Sequence, residues 1–247
     1  MGKALPKLYD RWAEECLNGP VPEETRATCL DCVMLARPDD PKGKHDIHYS
    51  ANTKCCTYMP DLPNFLIGLI LSDDSSEFAA GRALFERQAL QWAVITPLGA
   101  NRPPNYWAEY VRTFQSFGNN DGLRCPYYMH EEGGLCGIWL YRNSRCTTWF
   151  CKYDRQSAGV IFWKSMEYLL LNAEKALVQW CILNLGLEDF LSKLFPPGSQ
   201  VDPRVSWGKW TGREREFFIE CGRLVLALSW DEVRLLGGTE LHLREKI

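Results

Sequence analysis

Between Cys125 and Cys151 the chain reads CPYYMHEEGGLCGIWLYRNSRCTTWFC, with Cys125, Cys136, Cys146 and Cys151 set among glycine, asparagine, serine, threonine and aromatic residues. These thiols do not fall on one face of a regular helix. Four thiols held on irregular backbone point to a bound inorganic centre. Thiolate sulfur is a soft donor, and loop backbone lets ligands converge from different directions.

Further cysteines lie upstream. Cys29-Leu30-Asp31-Cys32 has the spacing at which two sulfurs reach one metal, the backbone between them forming a tight turn whose N–H groups point at sulfur. A redox dithiol is the rival reading, but no thioredoxin-like βαβ pattern surrounds the pair. Cys55 and Cys56 are adjacent. Successive side chains diverge, so one is expected to serve the centre while the other packs or serves a second one. His45 and His48 lie in the polar segment between these groups and read as surface imidazoles. Cys16 sits on an apolar helical stripe and Cys181 beside Trp180, and both read as core.

A chain of 247 residues can bury a real core without metal. Its formal charge of −3 gives no general basic field, so no nucleic-acid partner is indicated. The opening MGKALPKLYDRW lacks the apolar run of a signal peptide, and 65–71 is far shorter than the roughly 20 residues that span a bilayer. The expectation is a soluble cytoplasmic protein with no membrane span. In a reducing compartment its 11 cysteines are ligands or buried thiols rather than disulfides.

Apolar periodicity places helices at 4–18, 64–71, about 76–92, 106–117, 159–185, 187–195 and 213–228. The longest is expected to bury Phe162, Met166, Leu169, Leu170, Ala173, Leu177 and Trp180, with Glu167, Glu174 and Lys175 elsewhere. Ser229 and Glu232 have the spacing of a capping box at the start of a final helix. Asp39-Asp40 and Asp73-Asp74 read as loop or capping charges. The fold expected is mainly α, with irregular cysteine-rich loops packed on a helical scaffold. It is read as a single cysteine-cluster domain over 1–247, with a metal-binding region at about 25–155 and a helical part at about 156–247.

The runs Cys125-Pro126-Tyr127-Tyr128 and Leu135-Cys136-Gly137-Ile138-Trp139, then Arg142 and Cys146-Thr147-Thr148-Trp149-Phe150-Cys151, form a pattern. It resembles that of the YkgJ-type cysteine-cluster proteins, described as zinc- or iron-chelating domains, whose relatives include the flagellin lysine methylases. Two departures stand out. A long polar insertion separates Cys29-x-x-Cys32 from Cys55-Cys56, and Asn143 stands where the family usually has proline. The resemblance implies a chelated metal or iron–sulfur centre with eight candidate thiolates: Cys29, Cys32, Cys55, Cys56, Cys125, Cys136, Cys146 and Cys151.

One [4Fe–4S] cluster is favoured over Zn²⁺, with Cys29, Cys32, Cys146 and Cys151 as the preferred subset and Cys55 or Cys56 able to replace any member. Lys54, Arg142, Arg145 and Lys152 lie near enough in sequence to offset a cluster's negative charge, and Trp139, Trp149 and Phe150 are placed to exclude water. Three functions compete. The first is an iron–sulfur protein in redox or cluster-assisted catalysis, working with an unidentified redox or protein partner. The second is an S-adenosylmethionine-dependent methylase, and the third a zinc-stabilised interaction module. No nucleophile elbow, Walker loop or His-Glu-x-x-His element is present.

Overall fold

The computed structural model describes residues 5–25, 28–35, 48–194 and 207–244. His45 and the pair Asp39-Asp40 lie outside the described residues. The fold is mainly helical, as the periodicity leads one to expect. Among the described residues the helices are α1 (Lys7–Leu17), α2 (Asn64–Ser72), α3 (Ala79–Trp92), α4 (Pro104–Arg112), α5 (Ser144–Thr148), α6 (Gln156–Asn184), α7 (Glu188–Leu194), α8 (Glu214–Leu226) and α9 (Trp230–Arg244). Among the same described residues five short strands, which the periodicity does not signal, join them: β1 (Leu62–Pro63), β2 (Val94–Thr96), β3 (Gly99–Asn101), β4 (Tyr128–Met129) and β5 (Leu135–Cys136). The first three form an antiparallel sheet in the order β1-β3-β2, and β4 pairs with β5 as a small hairpin.

The core is apolar and helix-borne. α6 buries Trp163, Met166, Leu170, Ala173, Leu177 and Cys181, which recur every three or four residues along one face. Phe162 and Trp180, assigned to that face by the sequence, are only half-buried, because the stripe runs one position to the side of each. Glu167 and Glu174, placed elsewhere by the sequence, are buried as well. Their carboxylates have partners inside the protein, which is what makes such burial tolerable.

α2, buried along nearly all its length, crosses α8 at two glycines. A Cβ built on Gly68 would lie 1.8 Å from the Phe218 carbonyl oxygen, and one on Gly222 would lie 2.9 Å from the Gly68 carbonyl carbon. Backbone-to-backbone contact of this kind admits no side chain at either position. Helix ends follow local chemistry. Asn18 closes α1 in the left-handed conformation at φ 51°, and Pro63 and Pro103 immediately precede α2 and α4. The capping box before α9 is formed: the Ser229 N–H and hydroxyl donate to Glu232, and the Glu232 N–H returns to Ser229 Oγ at 3.4 Å. No helix among the described residues is long and apolar enough to cross a membrane.

Candidate metal centre

Each cysteine group is presented by a different short device. Cys32 sits in a turn where the Leu35 N–H bonds the Cys32 carbonyl at 3.2 Å and the Met34 N–H points at its sulfur. Cys55 and Cys56 close a turn in which Lys54 takes the left-handed conformation at φ 48°. The Cys125 N–H donates to the Cys56 carbonyl at 2.8 Å, which ties the second group to the third, and the Tyr127 N–H points back at the Cys125 sulfur. Irregular loops were expected throughout 125–151, but two of these cysteines lie on regular elements. Cys136 is on β5, opposite Tyr128, and Cys146 is on α5. Asn143 explains the second case: as N-cap, its side-chain oxygen accepts the Cys146 N–H at 3.0 Å.

Two buried glutamates fasten these segments to the scaffold. Glu174 of α6 accepts the Tyr9 hydroxyl from α1 at 2.5 Å, the Ser144 N–H at 2.6 Å and the Ser144 hydroxyl at 2.7 Å, so α5 is pinned beneath α1 and α6. Glu24 accepts the Asp154 N–H at 2.5 Å and the Trp163 indole N–H at 2.8 Å, joining the chain ahead of Cys29 to the chain after Cys151. Neither glutamate is marked by a sequence motif. Glu24 lies between Glu23 and Thr25 and Glu174 between Ala173 and Lys175, a setting that reads as solvent-facing in the sequence.

These devices bring the eight candidate cysteines into one neighbourhood. The Cys151 thiol hydrogen-bonds to those of Cys32 and Cys55, and Cys55 bonds in turn to Cys56. Cys125 and Cys136 lie close enough to Cys56 for their charges to interact, and Cys146 stands in the same relation to Cys125. Cys29, Cys55, Cys136 and Cys146 are the groups whose charges act most strongly on the Arg142 guanidinium. Of the preferred four, then, Cys32 and Cys151 share a hydrogen bond and Cys55 joins them, while Cys29 and Cys146 are related only through their charges on Arg142. Among the described residues no three His, Cys, Asp or Glu side chains close round the position of a single ion. His48 lies beside Asn119, whose side chain donates to its carbonyl at 2.8 Å. Cys16 is half-buried against the core, and Cys181 and Cys221 are fully buried in it, the Cys181 thiol facing the Cys221 carbonyl at 3.8 Å.

Buried cations set the electrostatics. Lys54 is 5% exposed, and its ammonium donates to the carbonyls of Cys29 (2.6 Å), Gly133 (2.8 Å) and Gly134 (2.9 Å). It thereby clamps the first cysteine group to the β4–β5 turn. Arg142 is 3% exposed, lies over the Trp139 ring at 3.6 Å and donates to the Trp139 carbonyl at 3.0 Å. Burial lowers its pKa, and the surrounding thiols oppose that shift. The other two cations named from the sequence behave differently: Arg145 pairs with Glu167 at 3.3 Å, and Lys152 is half-buried. Phe150 packs on Trp163 at 4.6 Å, whereas Trp149 is 38% exposed and covers the site only in part.

Proton sharing divides the thiols. A hydrogen bond from Cys151 brings the Cys32 thiol down to about 7 against its burial, with help from the Met34 N–H and Lys54. Cys151 is raised by the same bond and by Cys55, Cys56 is raised by its bond to Cys55 and by burial, and Cys125 is raised by burial and by Cys136. Burial likewise raises Tyr49, and it lifts Tyr128 to about 12. In a crowd of thiols that oppose one another's ionisation, with two buried cations among them, a bound metal would displace the protons to solvent. The donors are soft, the cations match an anionic core, and the buried Tyr127 hydroxyl has no hydrogen-bond partner among the described residues. The donor chemistry matches a sulfur-ligated group, while among the described residues no three of these side chains close round one ion.

Two cavities flank the thiols. One, of about 840 Å³, reaches Cys29 and Cys136 between Trp139, Trp163, Asp10 and Glu14. Desolvation, then the Glu14 charge, raises Asp10 there. The other, of about 880 Å³, reaches Cys125 from the side of Tyr106 and Arg124. No protein-family model matches the chain, and neither a curated protein nor a solved structure resembles it significantly.

Proposed function

We propose that the chain is an iron–sulfur protein that holds a [4Fe–4S] cluster with thiolates drawn from Cys29, Cys32, Cys55, Cys56, Cys125, Cys136, Cys146 and Cys151, in a redox or cluster-assisted catalytic role. The reading rests on one observation: cysteines from sequence-distant segments crowd into one neighbourhood around a buried guanidinium and a buried ammonium. Sulfur atoms round a cluster stand apart across its metal–sulfide core, so crowding on this scale suits a cluster better than the tight shell of one ion. A bound cluster supplies one-electron chemistry at a potential set by hydrogen bonds, net charge and exposure.

The chain's own groups have separable parts in this reading. Lys54 and Arg142 offset negative charge on the thiolates, the Met34 and Tyr127 N–H groups donate to sulfur, and Phe150 excludes water. One cavity is lined by Cys29 and Cys136 and the other by Cys125, where a small substrate or an electron donor could approach the thiols. The visible spectrum of anaerobically purified protein tests the reading. A broad absorption that bleaches on reduction and returns on reoxidation is expected, and a colourless protein would overturn it.

A further inference from the structure

We draw no further inference here: the strongest candidate, the cavity between α1 and the β4–β5 hairpin whose lining includes Asp10, Glu14, Glu23 and Glu77, is marked for a cation only by that cluster of carboxylates, and no second feature among the described residues points to a ligand there.

Discussion

The side of the molecule built from α2, α6, α8 and α9 and the side that carries the thiols are held together by different physics. On the helical side, Phe65, Ile70, Leu177, Phe217 and Val225 are buried among one another, and Gly68 meets the backbone of α8 with no room for a Cβ. On the thiol side Tyr127, Ile138 and Phe150 continue the same core, but buried polar and charged groups join them: Lys54 on three carbonyls, Arg142 against Trp139, Glu174 on three donors and Glu24 on two. Apolar contact is indifferent to what else is bound, whereas thiols that oppose one another's ionisation would be stabilised by a cation if the proposed centre is bound. The first side should therefore stand without metal and the second should depend on it.

The largest effect expected is on the helical side. Gly68→Val drives a side chain into the Phe218 carbonyl and should cost more than ~3 kcal/mol. Denaturant unfolding should show both sides lost together, and an unchanged midpoint would mean the close crossing is not needed. Lys54→Met comes next. It strips three carbonyls of a charged donor, at roughly 3 kcal/mol, and the loss should be local. Metal content should fall while far-ultraviolet circular dichroism keeps its helical form, and a loss of helix would erase the contrast between the two sides.

Glu174 joins the sides, and its pH dependence has a definite sign. Burial raises its pKa above the usual 4.5, with the Tyr9 and Ser144 donors opposing the shift. The folded state thus holds a proton that the unfolded state releases. This contribution to stability is whole below about pH 4.5 and is lost as pH rises through the folded value. Glu174→Gln should cost roughly 1 kcal/mol and remove that slope, so the difference between wild type and variant should shrink as pH rises. A pH-independent difference would show the carboxyl ionises alike in both states. The smallest effect belongs to Cys181→Ala, which vacates one sulfur's space at about 1 kcal/mol. Metal content should not change, whereas Cys151→Ser should lower it. Equal loss in both would place Cys181 among the ligands.

The sequence announces these two sides unequally. α6 and the capping box before α9 are legible because periodicity and capping are local properties, and the expected helix at 159–185 overlies Gln156–Asn184 almost completely. The cysteine groups are legible as residues, and Lys54 and Arg142 are visible as nearby cations. Their burial is not, since it depends on carbonyls at Cys29, Gly133 and Gly134 that only the folded chain collects. Glu24 and Glu174 are missed for the same reason, because a charge beside Glu23 and Thr25, or beside Lys175, reads as a solvated face until its donors are known. The strands β1 to β5 are two or three residues long, too short for alternation to register.

Iron, zinc and acid-labile sulfide, measured together on the full-length chain purified without oxygen, test the central claim most directly. Iron and sulfide in equal amounts, about four of each per chain for a single [4Fe–4S] cluster, are the expected result. Zinc without sulfide, or none of the three, would contradict it.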